Sequence, residues 1–133
     1  MSETSDEKTL AEAVDALADR FRAMPQSRLL GAVPGHLSRA AAGLALARWL
    51  AVTARAAEAV RADGGADGGP AHELPDAGAF AVGDQLAVVG HDLAAALAAL
   101  PGDTAVALPD GPVAAEAVRV LAVRRLAEVS AAL

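Results

Sequence analysis

The stretch RAAAGLALARWLAVTARAAEAVRA, residues 39–62, decides the fold of this chain. It contains no proline and one glycine, Gly43, so it predicts one uninterrupted helix. The predicted buried face is formed by Leu46, Trp49, Leu50, Thr53, Ala56 and Val60. Arg48 and Arg55 lie together on the opposite side, and further apolar residues cover most of the circumference. A helix with this pattern is expected at the centre of a bundle.

A first helix is predicted before this stretch, over residues 5–24. Thr4 and Glu7 are spaced as a capping box, in which each side chain satisfies a free main-chain N–H at the start of a helix. The apolar stripe at helical spacing consists of Leu10, Val14, Leu17, Phe21 and Met24. Pro25 ends this helix, and a short extra helix is predicted near Ser27.

Two more helices are predicted in the second half, over residues 84–100 and 113–132. Asp84 is placed to cap the first, whose stripe is Leu86, Val89, Leu93, Leu97 and Leu100. Pro112 suits the first turn of the second, whose face is Val118, Ala122, Leu126, Val129 and Leu133. Residues 79–82 are either a short strand or the start of a helix, and a few residues at 105–108 can be extended, but no sheet is predicted from them.

The Gly-rich segment DGGADGGPAHELPDAG, residues 63–78, is the clearest linker in the chain. A chain of 133 residues fits one domain, since domains cluster near about 100–150 residues. Neither half has enough large apolar residues for a core of its own. We therefore predict a single all-α domain, residues 1–133, that resembles a four-helix bundle, with the linker between two helical hairpins and one extra short helix.

Composition narrows the functional classes. The chain has no cysteine, which excludes disulfides, thiol nucleophiles and thiolate metal sites. Its uncharged stretches are far shorter than the roughly 20 apolar residues of a membrane span, and its acidic N-terminus does not resemble a signal peptide. A soluble cytoplasmic protein is expected. Ten arginines against one lysine are typical of a high-GC bacterial genome.

Charge is divided between the two halves of the chain. From Arg20 to Arg55 every charged residue is arginine, whereas between Arg61 and Arg119 every charged residue is acidic. Two interpretations follow: the halves pack against each other, in one chain or across a dimer, or the basic half receives an anionic ligand. Nucleic acid is not favoured as a partner, because the net charge is −6 and only three residues are aromatic.

The best candidate for an anion site is the segment QSRLLGAVPGHLSR, residues 26–39. Its polar residues surround a Pro-Gly turn that leads into a helix N-terminus: Ser27, Arg28, His36, Ser38 and Arg39. Free main-chain N–H groups and the helix dipole favour negative charge there, and arginine binds carboxylate or phosphate with two N–H groups. The alternative is that these arginines pair with acidic residues of the same protein or its partner.

His91 and Asp92 form the other candidate. This doublet resembles the His-Asp pair of the HD-domain phosphohydrolases, and the resemblance covers two residues. It implies a divalent metal held with another histidine upstream and an aspartate downstream, but His72 lies in the linker and Asp103 and Asp110 in turns. His91 projects opposite the Leu/Val stripe of its helix. We therefore expect a solvated face, on which Asp84 and His91 can form a weak pair.

These patterns favour a non-catalytic interaction or regulatory module that acts through helix faces as an oligomer. Its expected partner is a second copy or another protein, because apolar surface beyond the need of one core usually marks an interface. No metal, cofactor or catalytic residue is predicted. The alternatives are a binder of a small anionic ligand at Arg28, His36 and Arg39, and a phosphohydrolase that uses His91 and Asp92.

Overall fold

The computed structural model describes residues 9–61 and 73–133, which are mostly helical. The elements in chain order are α1 (Leu10–Ala23), α2 (Gln26–Leu29), α3 (Arg39–Arg61), a 3-10 helix (Ala79–Ala81), α4 (Val82–Ala98), β1 (Ala105–Leu108), β2 (Gly111–Ala114) and α5 (Ala115–Ala132). The prediction of a broadly all-α chain is confirmed, with one small sheet added. Of the predicted linker, residues 63–72 lie outside the described residues and 73–78 have no regular secondary structure.

The helix α1 begins with a capping box, but not with the predicted one. The main-chain N–H of Glu12 donates to Thr9 Oγ1 at 3.1 Å, and the N–H of Thr9 donates to Glu12 Oε1 at 3.0 Å. Thr4 and Glu7 lie outside the described residues. The predicted apolar stripe is confirmed, since all of its members are buried: Leu10, Val14, Leu17, Phe21 and Met24.

The helix α4 continues directly from the 3-10 helix and begins at Val82, two residues before the predicted cap. Residues 79–82 are therefore helical rather than extended. Asp84 lies in the first turn of α4 and makes an ion pair with Arg22 instead of capping the helix. Of the predicted stripe, Leu86, Val89, Leu93 and Leu97 are buried in α4. Leu100 lies beyond the end of α4 and is only partly buried.

Residues 105–114 form an antiparallel hairpin that the sequence analysis did not predict. Val106, which is fully buried, pairs with Val113 in the register of the two strands. Pro112 lies in β2, so the prediction that it starts the last helix is wrong. The main-chain oxygens of Gly102 and Thr104 accept hydrogen bonds from the first N–H groups of α5, which has no side-chain cap. Main-chain oxygens just before the hairpin thus satisfy N–H groups that lack partners at the start of a helix.

The core lies where α3 and α4 pack together and where α4 packs against α1. The α1–α4 contact is close because α4 has glycine at two positions. A Cβ on Gly90 would lie 2.6 Å from Val14 Cγ1, and one on Gly83 would lie 2.9 Å from the main-chain oxygen of Ala18. In α3, Thr53 is buried, and its hydroxyl donates to the main-chain oxygen of Trp49 at 2.8 Å.

None of the helices in residues 9–61 and 73–133 combines the length and hydropathy that a bilayer crossing requires.

Candidate functional site

The segment that leads into α3, residues 26–39, contains the five residues predicted to bind an anion. The chain reverses at Gly35, whose φ of +84° lies in the region that glycine adopts readily. Ser38 Oγ accepts a hydrogen bond from the main-chain N–H of Ala41 at 3.0 Å, so Ser38 caps α3 as predicted. Ser27 and Arg28 lie on the exposed surface of α2.

Arg28 and Arg39 converge on a single oxygen. Arg28 Nη2 and Arg39 Nε each donate to the main-chain oxygen of Leu133 at 3.1 Å. Arg39 Nη1 also donates to the main-chain oxygen of Arg28 at 3.1 Å. Gly31 makes room for this guanidinium group, because a Cβ there would lie 2.7 Å from Arg39 Nη1. The two arginines predicted to bind an external anion are therefore bound to the chain itself.

A third arginine binds the same end of α5. Arg20, at the end of α1, donates from Nη1 to the main-chain oxygen of Ser130 at 2.7 Å and to its hydroxyl at 2.6 Å. The last turn of α5 contains no basic residue of its own. The final carbonyl groups of a helix lack partners within the helix and carry partial negative charge. Arg20, Arg28 and Arg39, which we call the arginine cap, supply both the donors and the positive charge.

The remaining predicted site residues do not join this cluster. His36 lies in a depression of about 190 Å³ beside Trp49 and Arg125, and the guanidinium group of Arg125 lies 4.5 Å from the centre of the Trp49 ring. Ser38 lines a separate groove of about 350 Å³, and the side chain of Ser27 is exposed. The structure thus brings Arg28 and Arg39 together and leaves the other three apart.

His91 lies on the exposed side of α4, as predicted. Its Nε2 lies 2.7 Å from Asp15 Oδ1 of α1, so its partner is Asp15 and not Asp84, which corrects the predicted pair. Asp92 is exposed. Within residues 9–61 and 73–133, no three histidine, aspartate or glutamate residues are grouped as metal ligands. His72 lies outside the described residues, and within the described part of the chain the resemblance to the HD-domain site covers the doublet alone.

Ion pairs among the described residues join the basic half of the chain to the acidic half. Arg22 Nε lies 2.9 Å from Asp84 Oδ1, and this contact raises the pKa of Arg22 from its ordinary value. Arg48 Nε lies 3.3 Å from Glu73 Oε2 and also donates to the main-chain oxygen of Leu74 at 2.8 Å. At these positions, arginines of the basic half therefore contact acidic residues of the same chain.

Large apolar side chains are exposed at the end of the molecule that carries α2. The exposed fractions are 55% for Leu30, 92% for Leu37 and 66% for Phe80. Leu30 lines the groove of about 350 Å³ together with Ser38 and Ala79, the chain neighbours of Leu37 and Phe80. We call Leu30, Leu37 and Phe80 the end patch. Leu30 lines the groove itself, and Leu37 and Phe80 are each next in the chain to a residue that lines it.

The sequence analysis missed both the arginine cap as a unit and the end patch. The signal for the cap was the absence of any basic residue from the last turn of α5, which leaves its carbonyl groups to donors from elsewhere. The signal for the end patch was weaker, because Leu30 and Leu37 flank a turn and belong to no helical stripe.

Comparisons with protein-family models, curated proteins and solved structures find no match to this chain.

Proposed function

We propose that this protein is a non-catalytic interaction module that binds another protein through the end patch. The observation that carries the proposal is the exposure of three large apolar side chains, of which Leu30 lines a groove and Leu37 and Phe80 adjoin lining residues in the chain. Leucine and phenylalanine gain about 1.5–3 kcal/mol each when they are removed from water, so a surface that presents three of them favours a partner.

The groove beside the end patch suits an apolar side chain. Its floor includes Leu44 and Val82, which are buried, and its walls include alanines of α3 and the 3-10 helix. Arg48 and Asp76 also line the groove, and Arg48 is already paired with Glu73. We therefore propose that the partner is a protein segment that inserts an apolar side chain.

The polar candidates favour this function over catalysis. Arg28 and Arg39 are hydrogen-bonded to main-chain oxygens, and His91 pairs with Asp15 on an exposed surface. A catalytic or metal site needs several such groups directed into one cavity. The predicted residues instead lie in separate places on the described surface.

The proposal is tested by photocrosslinking from the end patch in cells, with a photoreactive phenylalanine in place of Leu37. A captured protein is then purified and its affinity measured by calorimetry for the unmodified protein and for Leu37→Ser/Phe80→Ser. The control is Val88→Ser, because Val88 is 62% exposed on α4 and neither it nor its chain neighbours line the groove. Loss of binding only in the double variant supports the proposal. Equal binding by both variants, or capture of no protein, contradicts it.

A small anion at Arg28 and Arg39 is the second candidate function. It is favoured by the convergence of two guanidinium groups on one oxygen, because a phosphate or carboxylate oxygen could take the place of the Leu133 oxygen. If this is correct, phosphate raises the melting temperature of the protein and Arg39→Ala abolishes the rise. Chloride at equal ionic strength is the control. An equal effect of both salts contradicts the candidate.

We further infer that the four long helices form one bundle. Their contacts close a ring, in which α1 packs on α4, α4 on α3, α3 on α5 and α5 on α1. The diagonal pairs, α1 with α3 and α4 with α5, make few contacts. This is the pattern expected of four helices around one core. Distances between spin labels on α1 and α3 test this arrangement, because the inference requires these helices to be diagonal rather than adjacent.

A further inference from the structure

An apolar groove with a volume of about 530 Å³ lies between α1 and α5. It is lined by Ala13, Ala16, Leu17, Val123, Leu126, Ala127, Ser130 and Ala131. The single hydroxyl in this lining, that of Ser130, already accepts a hydrogen bond from Arg20. The groove therefore offers apolar contact and little polar chemistry, which suits a helix better than a small polar ligand.

The helix α5 is apolar on two sides. Val118, Ala122 and Leu126 face the core and are buried. A second stripe at spacings of three and four residues is formed by Val120, Val123, Ala127 and Ala131. Val120 is 44% exposed, and Ala127 and Ala131 are also exposed. Val123, Ala127 and Ala131 of this outer stripe line the groove. Because these side chains are small, a second helix can approach the stripe closely.

We propose that the occupant of this groove is a second copy of the chain, with the two α5 helices packed antiparallel around a two-fold axis. Arg124 and Glu128 lie on one flank of the outer stripe, a single turn apart. When two helices pack antiparallel, each flank of one helix lies against the same flank of the other. Charged residues on these flanks can then form ion pairs between the helices, as in coiled coils. When the axis passes near residue 126, Arg124 faces Glu128 of the partner subunit, and the pair occurs twice.

Two features of the single chain support this register. The outer stripe runs from Val120 to Ala131, so its midpoint nearly coincides with the midpoint between Arg124 and Glu128. The axis that matches the charges therefore also aligns the apolar stripes. Both charged side chains are exposed, and neither takes part in an ion pair recorded among residues 9–61 and 73–133. A two-fold interface of this kind is self-complementary, which is the commonest arrangement of homodimers.

The test is the mass of the protein in solution, measured by sedimentation and native mass spectrometry over a dilution series. The unmodified chain is expected at twice its 13.2 kDa. Either single reversal, Arg124→Glu or Glu128→Arg, places like charges opposite each other twice and is expected to weaken the dimer about tenfold or more. The double reversal Arg124→Glu/Glu128→Arg restores the complementary pairs and is expected to recover the dimer.

Ala127→Glu provides a separate check, because it puts a charge at the centre of the apolar stripe and is expected to give a monomer. Circular dichroism of each variant establishes that the helices remain folded. A monomer at every concentration of the unmodified chain overturns the proposal, as does a dimer that withstands the single reversals. The result is independent of the end patch, since Leu37→Ser/Phe80→Ser should leave this dimer intact.

Discussion

Gly90 has a low helix propensity, but the close packing of α4 against α1 leaves no room for a larger residue at this position. Glycine costs about 1 kcal/mol relative to alanine inside a helix, yet α4 has glycine at position 90. The reason is Val14, whose Cγ1 and Cγ2 atoms would each lie 2.6 Å from a Cβ at this position. Val14 is fully buried and β-branched, so it has little freedom to move away. The close contact of α1 and α4 therefore depends on this glycine.

The first prediction is that Gly90→Ala destabilises the protein by about 1–3 kcal/mol in spite of its better helix propensity, because the added methyl group overpacks the contact. The free energy of unfolding is measured in urea. In a Val14→Ala background the obstructing methyl groups are gone, and the same substitution should become stabilising. A Gly90→Ala variant as stable as the unmodified protein would mean that the helices separate without cost.

The second prediction concerns Glu116 in the first turn of α5. Its carboxylate accepts a hydrogen bond from Arg119 Nε at 3.2 Å, and this bond is the main reason why its pKa is lowered from the ordinary value. A group with a lowered pKa stabilises the folded state when ionised, above its unfolded pKa, and loses that effect as the pH falls through its folded pKa.

Glu116→Gln should therefore lower the melting temperature near neutral pH, and the difference from the unmodified protein should vanish in acid. Melting curves across the pH range measure this. Glu58→Gln is the control, because Glu58 is exposed on α3 outside the first turn. A difference that persists unchanged into acid would assign the effect to something other than the charge of Glu116.

The helix α5 is bound at both ends by other elements of the fold. Its N-terminus is satisfied by main-chain oxygens at the base of the hairpin, and its C-terminus by the arginine cap from α1, α2 and the start of α3. Apolar residues on two sides give α5 no single preferred face. We infer that polar contacts at its two ends determine where it lies along the bundle.

The third prediction follows for Arg39, which is half-buried and bonds two main-chain oxygens. Arg39→Met keeps the aliphatic stem but removes these donors, and it should cost about 1–2 kcal/mol of stability. Hydrogen exchange should increase most in the last turn of α5. Arg39→Lys retains the charge without the forked geometry and should restore the stability only in part. Unchanged exchange in α5 would show that the cap does not hold this helix.

The whole molecule depends on one apolar cluster that is shared by all four long helices. Leu93 is fully buried within it, at the contact of α4 with its neighbours. The fourth prediction is that Leu93→Ala destabilises the protein by about 2–5 kcal/mol. Unfolding followed by circular dichroism and by Trp49 fluorescence should remain a single shared transition. Val88→Ala, on the exposed side of α4, should change stability by no more than about 0.5 kcal/mol.

The elements that were predicted well are those whose signal is local. The stripe from Leu10 to Met24 and the stripe from Leu86 to Leu97 repeat every three or four residues, so one helix period is enough to recognise them. The hairpin was missed because Ala105–Leu108 is short and its partner Gly111–Ala114 contains Gly and Pro, which are typical of turns. Of the candidate site, only the capping role of Ser38 and the exposed position of His91 could be predicted from local spacing.

Local sequence patterns are enough to locate the long helices and their buried stripes, because both follow from interactions within a few turns of chain. The contacts of the polar residues depend instead on how the helices pack. Arg39 and Leu133 are 94 positions apart, Arg20 and Ser130 are 110 apart, and Asp15 and His91 are 76 apart. Periodicity carries no information about such pairs. They form because the apolar faces fix how the helices pack, and the packing then brings these groups within hydrogen-bond distance.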